Sequence, residues 1–301
     1  MRKALTALLV SASLVGVCGL AIAAESGRLR HVVSIYTDRN GGSLRQPEGL
    51  ACTDKGVVVA DTGRARLVRY GVVERDVQPI AEIQAPQLSS PIRVQTNSRD
   101  EIFVLDGKQR RIARFHANGA FNQYLAPTNV PAPTSVVPRS FKIDRADNVY
   151  ILDVFSARVL VVDGDGKYQR HVAFPSEYGF FSDLAVDSQG AIYLLDSVKA
   201  TVHVARKDAG AFTPLTKALR THLNFATSMT VDSRGVLYLV DENGGGIVLV
   251  GQDGAVLGRQ LAMGWSEGLL RYPAQICLND KAQVFVADKG NNRVQVFTII
   301  R

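Results

Sequence analysis

Short apolar runs recur along this chain, and each ends in an aspartate: VVVAD at Asp61, IFVLD at Asp106, VYILD at Asp153, IYLLD at Asp196, LYLVD at Asp241 and VFVAD at Asp288. The intervals are 45, 47, 43, 45 and 47 residues, so one structural unit has been copied along the sequence. Aligned on their aspartates, the fullest copies read PEGLACTDKGVVVADTGRARLVRY from Pro47, FSDLAVDSQGAIYLLD from Phe181, ATSMTVDSRGVLYLVD from Ala226 and PAQICLNDKAQVFVADKGNNRVQVF from Pro273. Each holds an apolar strand, a tight turn such as Lys55-Gly56, Gln189-Gly190 or Arg234-Gly235, and a second strand closing on the aspartate. A polar loop and a third, alternating strand such as RLVRY or RVQVF follow. A fourth, less regular strand is expected around Ile80 to Gln84 and Val256 to Leu261.

A second strand that is apolar at consecutive positions, as in Tyr193-Leu194-Leu195, needs cover on both faces. Sheets stacked radially supply that cover, so the pattern predicts an all-β fold: a six-bladed β-propeller of four-stranded antiparallel blades. The sixth copy runs out at Arg301 after three strands, while HVVSIYTD at 31–38 precedes the first copy. This N-terminal strand is predicted to complete the last blade and close the ring, covering its free edges.

The pattern P-x-G-I-A-V-D-x-x-G-x-I-Y-V-A-D followed by N-N-R-I-Q-V-F belongs to the NHL-repeat family, and the chain resembles it over residues 47–301, most closely at GNNRVQVF from Gly290. The second and third copies depart from it, with Ile92-Arg93 and Arg139-Ser140 where the family has x-Gly. The resemblance implies a six-bladed propeller. It implies no single function, because such propellers host binding modules, lyases and lactonases.

The N-terminus breaks the pattern. Arg2 and Lys3 precede an uncharged stretch from Ala4 to Ala24 that closes on Ala21-Ile22-Ala23, the order of a secretory signal peptide. The domain reading is a signal peptide over 1–24 and a propeller over 25–301, in an exported protein, periplasmic or secreted. An uncleaved anchor is disfavoured by the weak hydrophobicity of the Ala-, Ser- and Gly-rich stretch. Lipid attachment at Cys18 is disfavoured by Val17 where a small residue is expected. Without the leader, 33 basic and 28 acidic side chains remain. So mild a surplus, with no dense Lys/Arg tract, makes nucleic acid an unlikely partner. Cys52 and Cys277 remain in an oxidising compartment. They lie five and four residues after the first positions of their repeats, hence on opposite faces of equivalent strands. Those faces either meet at the ring seam, where a disulfide would staple it, or point away from it.

The six aspartates are expected to accept hydrogen bonds from loop amides rather than to do chemistry. Arg66, Arg111, Arg158 and Arg293, at a repeated position, are expected to act as ties. Function is sought where the copies differ, at the starts of the six innermost strands, which converge on one end of the channel. Glu48, Arg93, Arg139, Asp183, Ser228 and Gln275 are the candidate ligand-binding residues there, with Glu48 and Asp183 expected to face each other. On the same face the post-aspartate loops carry Arg64, Lys108, Arg110, Lys199 and Lys289, and the connections carry Phe180, Trp265 and Tyr272. This basic and aromatic rim suits a protein, peptide or glycan partner.

Glu48 is similar to the first-blade glutamate of the regucalcin and gluconolactonase propellers, which would imply calcium, but Arg93 and Arg139 would repel a cation. The five histidines share no repeat position, and no metal or other cofactor is expected. No Gly-x-Ser-x-Gly elbow is present. The expectation is a non-catalytic binding or scaffolding module. The alternative is a lyase or lactone hydrolase working at the channel mouth through Glu48, Arg93, Arg139 and Asp183.

Overall fold

In the computed structural model, which describes residues 27–300, the chain forms six four-stranded antiparallel sheets arranged as a propeller. The expected signal peptide lies outside the described residues. The innermost strands are Gly49–Thr53, Pro91–Thr96, Pro138–Ile143, Phe181–Val186, Ala226–Val231 and Pro273–Leu278, in blades one to six. Each packs on the next, and the sixth packs on the first. The second strand of every blade ends on one of the six repeated aspartates.

Apolar residues at consecutive positions are buried on both faces of each blade. In blade four, Leu184, Ile192 and Leu194 pack towards blade three, while Ala185, Tyr193 and Leu195 pack towards blade five. The core is therefore a series of inter-blade layers rather than one central mass, as stacked sheets require.

Blade six takes Arg293–Ile300 as its third strand and the N-terminal Arg28–Ile35 as its fourth, with Arg28 opposite Ile300 and Ile35 opposite Val294. The predicted ring closure is thus present, with the strand beginning three residues earlier than the sequence pattern indicates. At the same seam Cys52 and Cys277 form a disulfide with a Cα separation of 6.0 Å. Cys52 shares the face of Leu50, which packs towards blade six, while Cys277 points from blade six towards blade one. The two faces that the alignment leaves open therefore meet.

Two turns recur with the strands. The hairpin between first and second strands needs a left-handed residue, which is Gly190 or Gly235 in blades four and five, and Asp147 or Ala282 in blades three and six. The loop after each repeated aspartate also ends in a left-handed residue: Ala65, Arg110, Ala157, Ala200, Gly245 and Asn292. That turn sends the third strand back antiparallel and sets the loops on one face, with the rim residues on them.

Candidate functional site at the channel mouth

All six repeated aspartates are fully buried. Each accepts a backbone N–H from the segment that leads into its own blade's first strand: Arg45 to Asp61 at 2.6 Å, Ser90 to Asp106 at 2.6 Å, Val137 to Asp153 at 3.0 Å, Phe180 to Asp196 at 3.0 Å, Phe225 to Asp241 at 2.9 Å and Arg271 to Asp288 at 2.6 Å. Four also hold a guanidinium. Arg66, Arg158 and Arg293 reach Asp61, Asp153 and Asp288 through Nε at 2.8, 3.1 and 2.7 Å. In blade five Gly246 occupies the arginine position, and Arg259 from the fourth strand supplies the charge to Asp241 at 2.8 Å. Arg111 is not such a tie: it is exposed and lies over the Tyr124 ring at 3.8 Å. Asp106 and Asp196 rely on hydroxyl and amide donors. Burial alone would raise the Asp196 carboxyl, but the N–H groups of Lys199, Gly179, Phe180 and Val198 outweigh it and hold the group below its ordinary value.

The six candidate mouth residues separate into two groups. Asp183, Ser228 and Gln275 are fully buried, not open at the mouth. Asp183 accepts from Ser140 Oγ and the Leu184 N–H on one oxygen, and from Ser228 Oγ and the Met229 N–H on the other, each of the latter pair at 2.9 Å. It joins the innermost strands of blades three, four and five. Gln275 pairs with the Leu50 backbone, joining blades six and one. Glu48 and Asp183 therefore do not form a facing pair. The reason lies in the register: Asp183 is opposite Leu195 as Gly49 is opposite Ala60, so it sits one residue further into its strand than Glu48 does, where donors from blades three and five enclose it.

Glu48, Arg93 and Arg139 remain at the mouth, each half-buried. Glu48 is paired with Lys289 at 2.8 Å. Arg93 donates to the Ile92 carbonyl at 2.9 Å and, across the channel, to the Thr227 carbonyl at 3.3 Å. Its Nε and the Thr227 hydroxyl are buried without a hydrogen-bond partner among the described residues. Arg139 donates to the Phe181 carbonyl at 3.3 Å and lies over the Phe180 ring at 4.0 Å. Burial lowers its pKa, with Tyr178 opposing the shift and Arg110 adding to it. Neither arginine forms an ion pair among the described residues.

Lys142, which the repeat comparison passes over, lies deeper on the same wall with its ammonium 3.8 Å from Asp183 Oδ2. Burial pushes its pKa down, Asp183 opposes this and Arg93 adds to it. The signal was there: the equivalent positions hold Ala51, Gln95, Ala185, Thr230 and Cys277, so blade three alone carries a cation. The mouth is therefore electropositive, with one carboxylate saturated inside it and another already paired.

Around it, Arg64, Lys108 and Arg110 are exposed, and Lys199 and Lys289 are half-buried. Phe180, Tyr272 and above all Trp265, at 72% exposure, stand clear of the surface. Arg271 lies 5.1 Å from the Trp265 ring and 5.7 Å from that of Tyr272. No group of three or more His, Cys, Asp or Glu among the described residues is placed to hold a metal ion.

The NHL repeat profile matches residues 270–297. Together with six blades of this construction, that match supports the NHL-repeat propeller family. No curated protein matches its sequence. Among solved structures it is similar to virginiamycin B lyase from Staphylococcus aureus, at 15% identity and a TM-score of 0.61, covering 91% of this chain and 99% of that one. It is also similar to a gluconolactonase from Xanthomonas campestris, at 12% identity and a TM-score of 0.64, covering 91% and 98%. A chain of a nidogen/laminin complex is similar at 17% identity and a TM-score of 0.59, covering 77% and 91%. At such identities the likeness is one of fold, and it spans enzymes and an assembly protein alike.

Proposed function

We propose that this protein is an exported binding module, periplasmic or secreted, whose loop face takes an acidic group of a protein, peptide or glycan partner at the channel mouth. The observation that carries the reading is the pair Arg93 and Arg139, two half-buried guanidinium groups held only by carbonyl oxygens and an aromatic ring. A buried cation without a counter-charge is costly, and a carboxylate, sulfate or phosphate of a partner would supply the missing charge through short, charge-assisted bonds. Arg110 beside Arg139 and the exposed Phe180, Trp265 and Tyr272 extend the surface in the manner of aromatic and arginine anchors. The Cys52–Cys277 disulfide agrees with export to an oxidising compartment.

Catalysis by a lyase or lactone hydrolase would ask Asp183 or Glu48 to act as a base. Asp183 is saturated by four donors and Glu48 is engaged by Lys289, which is why binding is preferred. Fluorescence polarisation with a labelled hexaglutamate peptide tests the proposal. The double variant Arg93→Gln, Arg139→Gln should weaken binding about a hundredfold or more, each lost charge-assisted bond being worth about 1.5–3 kcal/mol. Equal affinity of wild type and a folded double variant would remove the mouth from the binding surface.

A further inference from the structure

The channel end opposite the loop face opens into a cavity of about 780 Å³, built by blades three to six. Nearest the channel centre are Ile143, Val186, Val231 and Leu278, the last residues of four innermost strands, each half-buried. Beyond them stand the hairpin-turn residues Asp144, Asp187, Asp232 and Asn279. The rim carries Arg145 of blade three and Asp280 of blade six, whose side chains form an ion pair at 3.0 Å. Blades three and six are opposite each other in the ring, so this exposed pair spans the opening.

The lining has a definite chemistry. Four basic and five acidic side chains contribute to it, so its charges nearly cancel and it favours neither a strong anion nor a strong cation. The turn carboxylates are largely engaged within their own hairpins. Asp144 accepts from Ala146 N–H, Asn148 N–H and the Tyr150 hydroxyl, and Asp187 accepts from Gln189 N–H, Ala191 N–H and the Tyr193 hydroxyl. The polar groups left to meet a ligand include the short donors and acceptors of Ser188, Gln189 and Ser233. The volume falls in the range of small-ligand chambers.

We propose that this cavity is a second binding site, for a neutral polyhydroxylated molecule of mono- to disaccharide size. The ligand's C–H face rests on the four aliphatic side chains and its hydroxyl groups bond to the hairpin-turn polar groups. The Arg145–Asp280 pair is a strap that parts on entry, being solvent-exposed and therefore weakly held and screened by salt. Nothing in this site depends on the loop face at the other end of the channel.

Isothermal titration and ligand-observed NMR with glucose, N-acetylglucosamine, maltose and trehalose test the site, with glutamate and putrescine as charged controls. Wild type should bind at least one of the sugars, and Val231→Trp, which fills the chamber, should weaken that binding at least tenfold. Ser233→Trp at the exposed rim gives the same test if the first variant does not fold. Arg145→Ala should speed sugar association and reduce its dependence on salt. No sugar binding by wild type at millimolar concentration, binding unchanged in both tryptophan variants, or tighter binding of glutamate or putrescine than of every sugar would overturn the proposal.

Discussion

Gln275 in blade six lays its side-chain amide along the backbone of Leu50 in blade one, accepting the Leu50 N–H at 3.2 Å and donating to the Leu50 carbonyl at 3.1 Å. This is a sheet-like pair of bonds made by a side chain, fully buried, at the junction where the two ends of the chain must stay together. Gln275→Leu removes the amide and strands a buried donor and acceptor. It should cost about 1–3 kcal/mol of stability, the desolvation of a group left unsatisfied. Urea unfolding measures it, and a midpoint equal to wild type would show that the seam does not need the amide.

The Cys52–Cys277 disulfide crosses the same junction and joins cysteines 225 positions apart in the sequence. A cross-link closing so long a loop restricts the unfolded chain strongly, and the expected stabilisation is about 2–5 kcal/mol. The double variant Cys52→Ser, Cys277→Ser should therefore unfold at a lower temperature than wild type. Adding a reductant should lower the wild-type midpoint towards that of the variant and leave the variant unchanged. A reductant effect of equal size on both would place its origin elsewhere.

Asp183 serves the wall of the channel rather than a ligand. Asp183→Asn keeps the shape but removes the charge opposite Lys142 and turns one acceptor oxygen into a donor facing Ser140 or Ser228. The variant should lose about 1–3 kcal/mol of stability. With one carboxylate fewer behind Arg93 and Arg139, its affinity for hexaglutamate should hold or rise. Weaker peptide binding by the folded variant would return Asp183 to the ligand site.

Asp183 also marks how far the sequence could be read. The six aspartates and their spacing define strand order, blade count and the shared loop face, because each of these follows from a local pattern repeated in register. Ring closure followed from counting strands. Radial depth did not: Asp183 occupies the ladder position of Gly49, one residue further along its strand than Glu48, and donors from neighbouring blades enclose it while Glu48 stays at the rim. The sequence placed Cys52 and Cys277 on opposite faces, but which faces meet is a property of the closed ring. The cavity at the far end was not legible at all, because it arises where turns from four blades converge, and no single repeat contains it.

His203, in the third strand of blade four, is almost fully buried, edge-on to Phe181 with ring centroids 5.6 Å apart, and its Nδ1 has no hydrogen-bond partner among the described residues. Burial lowers its pKa below the ordinary 6.5, Asp196 opposes the shift and Lys199 adds to it. The unfolded chain therefore binds a proton at this residue more readily than the folded chain does. The stability that neutral His203 contributes is fully present above pH 6.5 and is lost as the pH falls through the folded value. His31 is shifted in the same direction by burial, so it adds to the same window. Carboxylates held low, such as Asp106 and Asp196, give up their contribution only as the pH falls below their ordinary value of 3.8. His203→Phe keeps an aromatic ring against Phe181 and removes both the unpartnered nitrogen and the titration. Its urea midpoint should fall less than that of wild type between pH 7 and pH 5, with His31 accounting for part of the remainder. Parallel curves for the two proteins across that range would mean that His203 does not carry the acid sensitivity of the fold.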